Sequence, residues 1–169
     1  GGGGLCAMMI REGALNDITL IRAIARAAWP VAYSAILSPE QLRYMLDLMY
    51  SEAALREQIE VKGHRFILCD RDAAAIGFAS FEHGYRQTKR TRLHKLYVLP
   101  EAKGTGAGAM LLRAVESAAH SAGDDRVELN VNRFNPSKDW YLRRGFVIER
   151  DEVLDIGHGY VMDDHVMVK

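Results

Sequence analysis

The fold is decided by residues 96–112, which read LYVLPEAKGTGAGAMLL. An apolar strand ends at Pro100, glycines alternate with other residues at 104, 106 and 108, and a helix with an apolar face follows. Glycines let the main chain come close to a ligand, and the free N–H groups at a helix start favour an anion. The spacing predicts either a phosphate-binding turn or a tight strand–helix connection. A P-loop is not indicated, because no Gly-Lys-Ser/Thr follows.

The rest of the chain predicts one α/β domain with its helices first and a mixed sheet after them. Ser38-Pro39 and Ser51 are helix starts, because serine caps a helix and proline suits its first turn. Pro30 disfavours a helical Trp29, so the first helix is expected to end there. The predicted strands are 8–11, 64–69, 75–81, 91–99, 127–131, 146–154 and 160–168, with a tight turn at 70–72 and a short helix at 136–144.

Composition excludes several classes of protein. The 169 residues carry 22 Lys and Arg against 22 Asp and Glu, so the formal net charge is zero. This argues against a partner held by charge such as nucleic acid, and no apolar run approaches the roughly 18 residues of a membrane span. Cys6 and Cys69 make no zinc spacing and no disulfide framework, which suits the cytoplasm. Residues 1–7 are predicted to be a disordered tail or cloning remnant, the domain is 8–169, and no metal site is expected.

Two motifs resemble the GNAT superfamily of N-acetyltransferases. Residues 103–108 fill its acetyl-CoA signature, Gln/Arg-x-x-Gly-x-Gly/Ala, with Lys103 in place of Gln or Arg. Residues 135–146, NPSKDWYLRRGF, resemble the family's late helix, which ends Tyr-x-x-x-Gly-Phe. The order of elements also fits, so the resemblance covers residues 10–169. It implies a single α/β domain whose mixed, mostly antiparallel sheet is splayed between strands 4 and 5.

The resemblance further implies that acetyl-CoA lies in this splay, with its pyrophosphate on the glycine turn and its pantetheine arm along the main chain of 97–99. Asn135, or Asn132 in its place, is expected to hydrogen-bond the cofactor. Lys138 and Arg133 are expected to reach its phosphates, with solvated surface positions as the alternative. The implied cofactor-binding residues are Tyr97, Val98, Leu99, Lys103, Gly104, Thr105, Gly106, Ala107, Gly108, Asn135, Lys138 and Tyr141.

Acetyl transfer to an amine sets three chemical demands. The amine must lose a proton, and an alkylammonium of pKa about 10.4 is neutral only about once in 10^3.4 at pH 7. The oxyanion needs a hydrogen-bond donor, and the leaving thiolate needs a proton. By resemblance Tyr141 is the acid for the thiolate and the Val98 N–H is the oxyanion donor. The alternative for Tyr141 is a packed aromatic beside Trp140.

The general base is where the sequence departs from the family. Many members carry Glu on the fourth strand, where this chain has Arg92; the nearest fifth-strand residues, Leu129 and Asn130, accept no proton usefully. His94 shares the strand face of Arg92 and titrates near pH 6.5, so it is predicted as the base or as the holder of a relay water. A lining role for His94 and a water chain with no dedicated base stay open. Further candidates, interpreted as hairpin-surface charges, are Asp163, Asp164 and His165.

The acceptor side is less defined. The basic residues between Gly84 and Leu99 predict a solvated loop or the binding of an acceptor carboxylate or phosphate. The expected substrate-binding residues are Trp29, Tyr33, Arg92 and His94, with His64 at the same mouth. The leading hypothesis is an acetyl-CoA-dependent N-acetyltransferase in which a small-molecule or peptide amine attacks the thioester directly. The sequence does not indicate the oligomeric state, and a homodimer is only what the resemblance implies. The alternative is a non-catalytic acyl-CoA-binding sensor or interaction module on the same fold.

Overall fold

The computed structural model describes residues 7–169. Of the predicted tail, residues 1–6, which include Cys6, lie outside the described residues. The strands are β1 (Met8–Glu12), β2 (Arg65–Arg71), β3 (Ala74–Glu82), β4 (Arg90–Val98), β5 (Arg126–Asn132), β6 (Val147–Gly157) and β7 (Tyr160–Val168). The helices are α1 (Ile18–Tyr33), α2 (Pro39–Tyr50), α3 (Glu52–Glu60), α4 (Ala107–Ser121) and α5 (Ser137–Leu142), with 3-10 turns at Leu15–Asp17, Tyr85–Gln87 and Pro100–Ala102.

The serine caps form as predicted. The Ser38 Oγ accepts a hydrogen bond from the Gln41 N–H (3.1 Å), and the Ser51 Oγ accepts one from Ala54 (3.1 Å). The predicted end of α1 at Trp29–Pro30 is wrong, because α1 continues through Pro30 to Tyr33. An interior proline costs a helix roughly 3 kcal/mol. Trp29 is only 2% exposed and packs against Tyr50 and Tyr97, and Tyr33 also packs against Tyr97. Tertiary packing on both sides of the proline therefore outweighs that cost.

The sheet runs in the order β1-β2-β3-β4-β5-β7-β6 and is antiparallel except for the β4–β5 pair. Those two strands pair in parallel only at 90–93 and 126–129 and then part. The expected mixed sheet, splayed between strands 4 and 5, is therefore confirmed. The predicted turn at 70–72 is displaced: Arg71 pairs with Ala74, and the turn is made by Asp72 and Ala73, both with positive φ.

Helices cover both faces of the sheet. α4 packs on one face, around Leu111, Val115 and Phe146. α1, α2 and α3 pack on the other, around Ile21 and Leu55. β6 forms one edge of the sheet and is largely exposed, and the pairing of two copies stays a prediction. Within residues 7–169, no helix combines the length and the apolar character needed to cross a bilayer.

Candidate functional site

A cleft of about 710 Å³ opens beside the glycine turn, at the end of β4. Gly104 and Gly106 have φ of +80° and +88°, a conformation that favours glycine. A Cβ added to Gly104 would meet nothing within 4 Å, and one added to Gly106 would meet only the Met8 Cε at 4.0 Å. Open space therefore lies beside the turn. The first N–H groups of α4 have no partner within the helix, so the turn fits a phosphate group.

The end of β4 offers main-chain groups to the same cleft. The Leu99 N–H donates to the Ile76 carbonyl (2.8 Å), and the Leu99 carbonyl accepts from Ala102 (2.9 Å). Successive N–H groups of a strand point to opposite sides. Since the N–H of Leu99 points to β3, the N–H of Val98 points the other way, into the splay. Val98 is thus the residue of the 97–99 segment whose main chain is free to meet an extended ligand.

The opposite wall of the cleft comes from α5 and the residues after it. Trp140 lies close to Gly108, where an added Cβ would be 3.6 Å from the indole. The Arg144 guanidinium lies 3.6 Å from the centre of the Trp140 ring. Arg144 lines the cleft together with Lys103, and these two side chains supply positive charge there. Sequence analysis did not single out Arg144, because the family motif in this segment consists of Tyr141, Gly145 and Phe146.

A second, smaller cavity of about 150 Å³ lies on the other side of the splay. Trp29, Tyr33 and Tyr97 form its aromatic wall, and the hydroxyls of Tyr33 and Tyr97 are hydrogen-bonded at 2.7 Å. The cleft and the cavity share five lining residues, which are Leu96, Tyr97, Asn135, Ser137 and Tyr141. The two spaces therefore adjoin at these shared residues, one of which is Tyr141.

Tyr141 is held at this junction by packing. Its ring makes edge contacts with Trp140 (5.0 Å between centroids) and Phe146 (5.5 Å). Burial raises the pKa of the Tyr141 hydroxyl well above its usual value. The phenol consequently stays protonated at neutral pH and is available as a hydrogen-bond donor.

A bulge in β4 supplies one wall of the acceptor-side cavity. Ser80 pairs with Lys95 and Phe81 with Leu93, so His94 has no opposite residue in β3. Arg92, His94 and Lys95 all line the cavity. Arg92 and His94 are predicted to share a strand face; both line the cavity, but Leu93 and Lys95 line it too, so the shared face stays a prediction. Burial, more than the cation of Arg92, lowers the pKa of His94 to about 2.

Two further side chains surround His94. Its Nε2 lies 2.9 Å from the Glu82 Oε1, and the same oxygen lies 3.4 Å from the His64 Nε2. The imidazole rings stack 3.9 Å apart at 16°. The three ligand atoms lie within 4.8 Å of one another. Glu82 is thus the carboxylate that both imidazoles contact, and it holds the cluster together by hydrogen bonding. Sequence reasoning missed Glu82, since only the β3–β4 pairing brings it to His94.

The positive charges of the basic stretch are mostly engaged. Arg92 donates to the Asn130 Oδ1 (2.7 Å) and lies 3.4 Å from Glu128. Lys95 donates to the Gln58 Oε1 (2.8 Å), and burial lowers its pKa to about 7. The hypothesis that this stretch binds an acidic acceptor loses support, because these groups already have partners within the chain.

The predicted cofactor residues are mostly brought together. Those that line the cleft are Tyr97, Val98, Lys103, Gly104, Gly106, Ala107, Gly108, Asn135 and Tyr141. Leu99, Thr105 and Lys138 are outside that lining, and Thr105 closes the turn by donating to the Ala102 carbonyl (2.6 Å). Arg133 is bonded to Asp163 and Asp151 and does not line the cleft.

Asp164 and His165 are not hairpin-surface charges. They are only 2% and 8% exposed. Asp164 lines the acceptor-side cavity, while the His165 Nδ1 lies 2.6 Å from Asp151. The interpretation as surface charges is wrong for both residues: β7 is an interior strand of the sheet, and both side chains are buried there.

Comparison with known proteins bears on this site. The family model described as the acetyltransferase (GNAT) domain matches residues 34–161. An uncharacterized N-acetyltransferase of Mycobacterium bovis is 29% identical over 92% of this chain and 98% of its own. An amino-acid acetyltransferase of Shewanella oneidensis is 31% identical over 59% of this chain and 21% of its own. The PaiA N-acetyltransferase of Thermoplasma acidophilum, solved in complex with coenzyme A, is 25% identical, with a TM-score of 0.80 over 96% of this chain and 98% of that one.

Proposed function

Since this chain belongs to the GNAT family of acetyltransferases, and is thus an acyltransferase that uses acetyl-CoA, we propose that it transfers the acetyl group to a primary amine by direct attack of the amine on the thioester. One observation carries the proposal. The cleft beside the glycine turn and the cavity on the other side of the splay meet at Tyr141. A donor bound in one space and an acceptor bound in the other would come into contact there.

The glycine turn and its neighbours would hold the donor. Acetyl-CoA supplies the acetyl thioester and a pyrophosphate. The Ala107 N–H donates to the Thr105 Oγ1 (3.3 Å), so the following N–H groups, those of Gly108 and Ala109, would favour such an anion, with help from the helix dipole. Lys103 and Arg144 add positive charge on the two walls of the cleft. The carbonyl oxygen of the Asn135 side chain accepts hydrogen bonds from the Ser137 N–H and Oγ. The amide nitrogen of Asn135 is therefore the group that would donate a hydrogen bond to acetyl-CoA.

The reacting carbonyl would be placed by β4. The Val98 N–H points into the splay, as derived above from the bonds of Leu99. A main-chain donor fixed in a strand suits an oxyanion, because it needs no reorganisation during the reaction. Tyr141 would protonate the departing thiolate, and the Tyr141 hydroxyl remains protonated up to high pH. These two groups would lie on the donor side of the attacking nitrogen.

His94 would act on the acceptor side as a neutral imidazole. With a pKa of about 2 it does not store a proton near neutrality. We therefore assign it the second of its predicted roles, in which it holds a water or the amine in place by hydrogen bonding. Glu82 fixes the orientation of its ring through Nε2. Trp29 and Tyr33 would pack against the acceptor from the helical side.

The test is thiol release from acetyl-CoA across a panel of primary amines. The panel contains arylalkylamines, polyamines, amino acids and peptides with a free N-terminus; the name of the Shewanella relative makes amino acids a necessary member. Amine-dependent thiol release with a matching acetylated product supports the proposal. Binding of acetyl-CoA with no release above the amine-free rate for any member would contradict it and favour the acyl-CoA-binding module.

A further inference from the structure

Asp164 is a buried carboxylate at the point where the sheet opens. It pairs with Asn132 of β5 and Glu152 of β6 in the strand register. This position lies beyond 129, the last residue of β5 that pairs with β4. The side chain thus sits within the splay, and it lines the same cavity as Tyr33, Tyr97 and Tyr141.

The cationic side chains that line the cavity are bonded to groups other than Asp164. Arg92 lies near Glu128 and is hydrogen-bonded to Asn130, and Lys95 is bonded to Gln58. Asp164 receives one hydrogen bond from the Asn130 Nδ2 at 3.3 Å. Within residues 7–169, no Lys, Arg or His nitrogen lies within 4.0 Å of its carboxylate oxygens. Among the residues that line the cavity, Asp164 is the only carboxylic acid.

An aromatic cavity with one such carboxylate is complementary to a cation. A carboxylate removed from water is costly unless a positive group or hydrogen bonds compensate it. Aromatic faces attract ammonium groups as well, and Trp29, Tyr33 and Tyr97 form this wall. An acceptor that enters as an ammonium ion would supply the missing counter-charge.

We propose, on the basis of the acetyltransferase function above, that Asp164 binds the ammonium group of a cationic primary amine and accepts its proton before the amine attacks the thioester. The proton moves from nitrogen to the Asp164 carboxylate, which leaves a neutral amine and a carboxylic acid. The nitrogen lone pair then forms the N–C bond, and the C–S bond breaks with its electron pair on sulfur. Tyr141 protonates that sulfur. The nitrogen, which is positively charged once the N–C bond has formed, then loses its second proton, and this proton restores the Tyr141 phenol. The proton on Asp164 leaves to solvent.

The electrostatics of Asp164 fit a proton acceptor. Burial is the largest influence and raises its pKa above the usual value. A more basic carboxylate takes a proton from an ammonium ion at a smaller free-energy cost. The groups that face or border Asp164 are Arg92 on β4, Glu152 on β6, Asp163 on β7, Tyr33 on α1, and His94 and Lys95 on the cavity wall.

The experiment compares Asp164→Asn with Asp163→Asn, using the panel amine that the parent acetylates best. Asp163 is the matched control: it is the neighbouring acid of β7, bonded to Arg133 and absent from the cavity lining. We expect Asp164→Asn to lower kcat/KM at least about hundredfold at pH 7, and Asp163→Asn to stay within a few-fold of the parent. The loss should shrink at pH 9, because more of the amine is then already neutral.

Measurements of stability distinguish the proposed catalytic role of Asp164 from a purely structural role. A carboxyl whose folded pKa is raised lowers the stability of the fold as the pH rises from its unfolded to its folded pKa, and the full cost remains at higher pH. Asp164→Asn should therefore melt at or above the parent temperature at pH 7 and bind acetyl-CoA with unchanged affinity. Should the amide not fold, Asp164→Ser serves the same comparison, and Asp164→Glu should retain part of the activity with the parent's pH dependence.

Two results would overturn the inference while leaving the proposed function intact. One is a kcat/KM for Asp164→Asn within about twofold of the parent at pH 7, or a loss of equal size at pH 7 and 9. The other is a panel in which the best acceptors carry a carboxylate beside the amine. Absence of amine-dependent thiol release in the parent itself would instead refute the proposed function.

Discussion

The donor cleft and the acceptor-side cavity are built in different ways. The cleft is lined by the end of β4, the turn at 103–106 with the start of α4, α1 and α5, and the part of it that fits a phosphate is the main chain of the turn. The cavity is formed by side chains from α1, α2, β4, β5, α5 and β7. A main-chain site depends on spacing and backbone conformation, and both are encoded locally. A side-chain site depends on which distant residues the fold brings together.

This difference decides what could be read from the sequence. The glycine spacing, the serine caps and the alternation in 127–131 specify local structure, so the elements and most of the cleft could be predicted. Glu82 meets His94 only through the β3–β4 pairing and its bulge, and Asp164 is enclosed by residues of α1, α2 and β4 that are distant in the sequence. Nothing local distinguishes either carboxylate from a surface acid. The course of α1 through Pro30 likewise depends on the packing of Trp29.

The largest effect in the comparison, alongside that of Asp164, is expected at Tyr141, one of the five residues that line both regions. Tyr141→Phe should lower kcat about 10²- to 10⁴-fold, because a general acid for the thiolate acts in the transition state. The KM for acetyl-CoA should change little, since the ring and its contacts with Trp140 and Phe146 remain. Steady-state thiol release with the best panel amine measures this.

Tyr160→Phe is the control for Tyr141, because it loses a phenol that lines neither space. It should keep the parent kcat. If Tyr141→Phe also stays within about twofold of the parent, Tyr141 has only a packing role. The junction of the two regions would then lack its proposed acid.

A smaller, purely donor-side effect is expected at the glycine turn. Gly106→Val should raise the Kd for acetyl-CoA at least about tenfold, or 1.4 kcal/mol. Gly106 has φ +88° beside the open cleft, where a branched side chain strains the turn and occupies the approach of the phosphates. Calorimetric titration with acetyl-CoA gives the Kd directly.

Gly63→Val separates cofactor binding from backbone strain. Gly63 has φ +71°, an added Cβ there meets nothing within 4 Å, and it is not part of the cleft. This variant should lose stability yet bind acetyl-CoA like the parent. Equal affinities for the parent and a folded Gly106→Val would show that the pyrophosphate does not lie on the turn.

The smallest effect is expected at His94, on the acceptor side. His94→Ala should lower kcat/KM several-fold at pH 7, about the loss of one positioning hydrogen bond, and less at pH 9, where more of the amine is neutral. His94→Gln should restore most of the activity, because an imidazole with a pKa of about 2 contributes hydrogen bonds and no proton near neutrality. Acetyl-CoA affinity should stay unchanged in both variants.

The two variants of His94 also show whether the imidazole or another group accepts the proton of the amine. If His94 were itself the base, the amide would be as inactive as alanine, since glutamine accepts no proton at these pH values. Equal losses at pH 7 and pH 9 in the alanine variant would instead indicate packing against His64. Rescue by glutamine, with the loss concentrated at pH 7, leaves proton acceptance to a group beyond the imidazole. Asp164 is the carboxylate that the cavity places there.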